Sequence, residues 1–222
     1  MEQDSNLGSI VNFEQQEILS DKEIFTEIWT SPRKVFRYID EKKYDKYVTI
    51  LLVLSGIARA LNRAVSNNLG DRMSIWVIIG ICIIVGGLFG WLTYYIYAVL
   101  ISWTGKWLKG EGNTDSIIRI ISYAMIPSVL ALVILFPQIS IYGCEMVKFD
   151  INTISTDLFS IILFFLFAFL EFILGIWTIV LCVIGISEVQ KFSIGKSILN
   201  LLMPGLILLV LFLLILSLIE IF

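Results

Sequence analysis

Five polar residues stand inside otherwise apolar stretches: Arg59, Asn62 and Arg63 in one, Glu171 and Thr178 in another. A guanidinium and a carboxylate in such settings can do one of two things. They can line a polar cavity or ion pathway, or they can form a structural ion pair, with attendant hydrogen bonds, that clamps two helices together. An unpaired ionisable group in hydrocarbon costs at least about 2.5–3.5 kcal/mol, so each is expected to face the interior and seek a partner. Glu171, Gly175, Thr178, Cys182 and Gly185 step by four, three, four and three, which places them on one helical face. No second buried acid or histidine relay accompanies Glu171, and both readings stay open.

Other chemistry is sparsely supplied. Histidine is absent, which removes the usual general base and the commonest metal ligand. There is no Gly-x-Ser-x-Gly, P-loop or Cys-x-x-Cys, and no cluster of carboxylates outside the N-terminal tail. Ser193, Lys196 and Ser197 read as the polar cap of a short loop rather than a Ser–Lys pair. Cys82 and Cys182 lie in apolar runs as packing residues and Cys144 sits alone in a loop, so no disulfide is expected. Neither catalysis nor a cofactor nor a metal site is expected. No nucleic-acid partner is expected either, because the basic segment is diluted by acids and adjoins a membrane.

The elements that must position these residues are membrane-spanning helices. Of 222 residues, 58% are hydrophobic and only 16% charged. A globular domain carries about 45–50% and about 25%, so a water-soluble particle is excluded. Apolar runs over about 47–65, 75–103, 116–138, 158–186 and 198–221 can each cross a hydrocarbon core of about 30 Å. The first is the weakest, being interrupted at Arg59, and the second is long enough to require a tilt or kink. The expected fold is all-α and polytopic. A five-helix membrane domain over 47–222 follows an N-terminal segment over 1–46.

Charge orients the bundle. Residues 1–30 hold seven acids and one base, a net charge of -6; residues 31–47 hold six bases and three acids, a net of +3. With five spans this basic collar shares a side with Lys106, Lys109, Lys191 and Lys196, leaving mainly Arg72 and Lys148 opposite. Four spans would split these bases between the two sides. The positive-inside rule therefore predicts five spans, with a cytoplasmic N-terminus and an external C-terminus. The acidic N-terminus does not read as a signal peptide. Ser20 and Glu23 form a capping-box pattern, and Ser31-Pro32 restarts the chain into a second short helix. That helix puts Val35, Phe36 and Ile39 on one side, suited either to a headgroup surface or to packing on the protein's own loops.

Small residues mark close helix contacts. Gly86 and Gly90 form a Gly-x-x-x-Gly, Ala124 and Ser128 repeat the spacing beside Pro127, and Gly56 and Ala60 do so in the first span. Gly175 is expected to act likewise.

The string Ile28-Trp29-Thr30-Ser31-Pro32-Arg33-Lys34-Val35-Phe36 resembles the Trp-x-x-Pro-x-x-x-Phe element of the Yip-domain family of Ypt/Rab-interacting membrane proteins. Trp103-Thr104-Gly105-Lys106-Trp107-Leu108-Lys109-Gly110-Glu111-Gly112 is similar to that family's aromatic, basic, Gly-rich loop, and Tyr123-Ala124-Met125-Ile126-Pro127 to its Tyr-Ala-x-x-Pro. The resemblance implies five spans and a cytoplasmic N-terminus. Eukaryotic members bind Rab-type GTPases, and their longer N-terminal region typically carries an Asp-Leu-Tyr-Gly-Pro-type motif. That motif has no counterpart here, so the resemblance points to a prokaryotic-type member, in a bacterial plasma membrane, rather than to a Rab partner. The expected role is a non-enzymatic scaffold or adaptor in the lipid bilayer. It would offer Trp29, Pro32, Phe36, Lys109 and Gly112 to a cytoplasmic or membrane protein or to anionic headgroups. The alternative is a small-solute or ion transporter or channel using Glu171, Arg59 and Asn62.

Overall fold

The computed structural model describes residues 18–143 and 158–221. Most of the acidic tail, together with Cys144 and Lys148, lies outside the described residues. Two short helices, α1 (Asp21–Glu27) and α2 (Pro32–Glu41), precede the membrane helices. Five helical stretches are long and apolar enough to cross a membrane: Val48–Ser66, Ile75–Trp107, Thr114–Tyr142, Leu158–Gln190 and Ile194–Ser217. The protein is a multi-pass integral membrane protein, all-α among the described residues.

Each span extends beyond or breaks within its apolar run for a local reason. The first is α3 (Val48–Ser66). In the second, α4 (Ile75–Ile81) meets α5 (Gly87–Trp107) through a wide π-helical turn at Cys82–Gly86. This turn re-aims a helix too long to cross the hydrocarbon straight. The helix also runs past Ile101 through Thr104, Gly105 and Lys106, so Trp103 and Trp107 stack edge to face at 4.6 Å on one exposed side. In the third, α6 (Thr114–Ala124) ends at Met125, and α7 (Ile126–Tyr142) restarts with Pro127 in its first turn, where a missing N–H is harmless. Pro137 does not end this span. It lies inside α7, which carries Gln138 and Tyr142 onward. The fourth span, α8 (Leu158–Gln190), and the fifth, α9 (Ile194–Ile221), are continuous. Lys196 and Ser197 therefore lie in the first turn of α9 rather than in a loop.

The helices form a ring in which α3 packs on α5 and α7, α7 on α8, α8 on α9, and α9 on α5. Helix α6 fills the ring at one end by touching α3, α5 and α8. At that same end, α1 and α2 fold back as a collar. Ser20 and Glu23 complete the capping box, with Ser20 N–H donating to Glu23 Oε2 at 2.7 Å. Ile24, Ile28, Val35, Phe36 and Ile39 are fully buried against α6 and α8. The apolar side of α2 is thus spent on the protein's own helices and does not lie on lipid. At the far end the ring is looser. Beyond Pro204 every side chain from Leu208 to Leu216 is exposed, as expected of a helix surrounded by hydrocarbon.

Close helix contact is concentrated between α3 and the second span. A Cβ at Gly86 would lie 2.8 Å from both Gly56 O and Ile57 Cα, and one at Gly56 would lie 2.7 Å from Gly90 Cα. No side chain fits at any of the three. Gly175 behaves differently from expectation: a Cβ there would meet nothing within 4 Å, so α8 gains no close approach from it.

Candidate functional site

Glu171 projects from α8 into a cleft of about 420 Å³ between α3, α7 and α8, at the end remote from the collar. The helices bring Asn62, Gln138 and Glu171 to one wall-to-wall space whose remaining lining is largely apolar, with Phe164, Phe172 and Tyr142 among it. Gln138 Nε2 donates to Glu171 Oε1 at 2.8 Å. Tyr142 Oη donates to the Ser160 carbonyl at 2.7 Å and its ring meets Phe164 edge to face at 5.8 Å, which ties α7 to α8 beside the cleft. Along α8, Glu171 stands about 29 Å from Gln190 at the collar end.

Arg59 does not join it. Its guanidinium lies over the Tyr94 ring, 5.9 Å from the centroid, and no ion pair links it to Glu171. The physical reason is the α3–α5 contact. With Gly56 and Ala60 pressed against the second span, Arg59 is rotated toward Tyr94 while Ala58 and Asn62 face the cleft. Arg63 is exposed one turn further on. Thr178 belongs to a separate contact: its hydroxyl donates to the Leu174 carbonyl at 2.9 Å and pairs with Ser128 Oγ at 3.1 Å. Ser128 is therefore a polar link between α7 and α8, while Ala124 and Pro127 are buried where α6 meets α7. Of the expected five-residue network, only Asn62 and Glu171 share a space.

The collar end holds the other candidates. Trp29 and Pro32 are partly exposed and Lys109 is exposed, but Phe36 is fully buried and cannot meet a partner. Gly112 is buried as well. Its N–H donates to Gln190 Oε1 at 2.9 Å, and a Cβ there would lie 2.8 Å from Val189 Cγ1. The Gly-rich loop is thus shaped around the Gln190 side chain. Arg119, almost buried in α6, is held by Asp45 Oδ1 at 2.7 Å with Asp40 at 3.9 Å. Arg37 pairs with Glu188 at 2.8 Å. Asp21 accepts from Lys46, from Tyr44 Oη and from Tyr47 Oη, which holds its carboxyl well below the usual range, the lysine contributing most. Among the described residues no three His, Cys, Asp or Glu side chains converge as metal ligands.

The family model of the Yip1 domain matches residues 26–216, from the end of α1 to the far part of α9. The chain belongs to the Yip1 domain family. The match starts inside the collar, so α2 and the buried contacts it makes are part of the Yip1 domain rather than an appendage. No curated protein and no solved structure matches the chain.

Within this Yip1 domain, sequence reasoning missed Gln138, Gln190 and Asn200. Gln138 was hidden because Pro137 looks like the end of a span. Gln190 and Asn200 are both buried; Asn200 Oδ1 accepts from Thr104 Oγ1 at 2.8 Å. Their signal was a single amide beside each end of the connection between the last two spans.

Proposed function

We propose that this Yip1 domain protein is a non-enzymatic membrane scaffold or adaptor whose collar end meets a cytoplasmic or membrane partner, or anionic headgroups. The reading places the N-terminus in the cytoplasm and the C-terminus outside, in a bacterial plasma membrane. The observation that carries it is how the collar distributes its charges. Four of its cations are paired with acids of the same end: buried Arg119 with Asp45, and exposed Arg37 with Glu188, Lys46 with Asp21 and Lys34 with Glu27. Arg33, Lys43, Lys106, Lys109, Lys191 and Lys196 stand exposed and enter none of the described ion pairs.

Three of these close helices in left-handed conformation: Lys43 at φ 49°, Lys109 at φ 66° and Lys191 at φ 56°. Glycine is the favoured residue there, although a cation also complements the helix C-terminus. The result is a face of exposed cations interspersed with the exposed acids Glu41, Glu111 and Asp115, framed by Trp29 and Pro32, with Phe36 and Gly112 supporting it from beneath. The test is co-purification from native membranes. The wild-type chain should retain a defined partner or anionic lipid that the Arg33→Glu/Lys109→Glu/Lys191→Glu variant loses. Equal recovery from both would overturn the reading.

A second reading, a carrier or channel for a small solute or ion, is favoured by one observation. Glu171 opens into the cleft instead of being sealed against Arg59.

A further inference from the structure

The cleft between α3, α7 and α8 has a composition that selects among ligands. Among the described residues, Glu171 is the only formally charged one in its lining. Gln138 satisfies one acceptor site of the carboxylate, and among the described residues no donor reaches Oε2. Among the described lining residues there is no second carboxylate, Cys or His to complete a hard or soft metal site, and no Lys or Arg to attract an anion. Three aromatic rings, those of Tyr142, Phe164 and Phe172, stand around the same space. A carboxylate with aromatic walls and an apolar floor is the combination that binds an organic ammonium group, by charge and by attraction to the ring faces. The volume of about 420 Å³ is in the range of small-ligand sites.

The position of the cleft fits the same chemistry. Phe172 is 64% exposed and Ala168 is also exposed, so this side of the cleft is open toward the bilayer. An occupant with an apolar body would keep that body in hydrocarbon while its cation meets Glu171.

We infer that the α3–α7–α8 cleft is a binding site for an ammonium group carried on an apolar body, with Glu171 as its counter-ion and Gln138 as the residue that positions the carboxylate. The inference rests on the second reading above only in using the same cleft. It concerns binding, and does not require passage across the membrane.

The experiment uses the full chain in nanodiscs and two probes that separate the sources of the ammonium. Benzyltrimethylammonium, measured by equilibrium binding in discs of phosphatidylglycerol alone, represents a free solute. Phosphatidylethanolamine, measured by its retention over phosphatidylglycerol after delipidation, represents a lipid headgroup. Saturable binding of the first or selective retention of the second is expected, and Glu171→Gln should weaken it by at least about tenfold. Ala168→Phe fills the cleft without altering its charge and should block binding to a similar extent, which keeps the inference testable if Glu171→Gln fails to fold. Arg59→Gln should leave binding unchanged. Failure of both probes with the folded wild-type protein, or binding insensitive to both Glu171→Gln and Ala168→Phe, would overturn it. Liposome flux distinguishes the two readings. Binding without flux overturns the carrier and keeps the ammonium site, whereas Glu171-dependent flux of a solute with no ammonium binding does the reverse.

Discussion

Gln138 Nε2 donates to Glu171 Oε1 at 2.8 Å, so the carboxylate of α8 is held by an amide of α7 and not by the guanidinium of Arg59. A double-mutant cycle reads this directly. Gln138→Leu and Glu171→Leu should show a coupling energy of about 0.5–3 kcal/mol in unfolding from detergent micelles, whereas Arg59→Leu and Glu171→Leu should add within about 0.3–0.5 kcal/mol. Strong coupling of Arg59 with Glu171 would contradict the arrangement.

The α3 contact with the second span predicts a contrast among glycines. At Gly86 a methyl would meet backbone atoms at 2.8 Å, while at Gly175 it would meet nothing within 4 Å. Gly86→Ala and Gly90→Ala should each destabilise by about 1–3 kcal/mol through overpacking. Gly175→Ala should stay within about 0.5 kcal/mol. Thermal unfolding of the purified variants in one detergent checks both.

Phe36 sits with no exposed surface beside Gly185 and Ile120. Phe36→Ala should therefore cost about 3–5 kcal/mol and expose residues 18–47 to protease. Arg33→Ala, on the outer side of the same helix, should change stability by no more than about 0.5 kcal/mol.

Acid should loosen the collar before the bundle. Lys46, then Tyr44 and Tyr47, hold Asp21 below its ordinary 3.8, and Ser20 holds Glu23 below its ordinary 4.5. A depressed carboxyl stabilises the fold above its unfolded value, and the contribution disappears as pH falls toward the folded value. Hydrogen-exchange protection of α1 and α2 should be constant from pH 7 to about 5 and decline below about 4. Asp21→Asn should start lower and show a flatter decline.

Much of this fold was legible in sequence because the forces involved are local or compositional. Apolar run length located the five spans, the bias of Lys and Arg grouped their ends, and Ser20 with Glu23 announced α1 by its capping box. Helix ends were less legible, since α5 and α8 continue through Thr104, Gly105, Glu188 and Gln190 once they leave hydrocarbon. The polar site was only half visible. Glu171 and Asn62 stand out in any apolar run, but the rotation of α3 that turns Asn62 to the cleft and Arg59 away depends on Gly56 meeting Gly86 and Gly90, a contact between distant segments. Phe36 and Gly112 were legible as special positions. Their special character is structural, because each is buried by a partner, Gly185 or Gln190, that no local pattern connects to it.

The central claim is that the collar is a built face of exposed cations that meets something outside the chain. Site-specific photocrosslinking in native membranes tests it most directly, with the photoreactive residue placed in turn at positions 33, 109 and 191 and, as buried references, at 36 and 112. The account predicts one defined protein or anionic-lipid adduct from the three exposed positions, lost on Lys106→Glu/Lys196→Glu, and only intramolecular products from 36 and 112. Exposed positions that yield nothing beyond the buried references would contradict it.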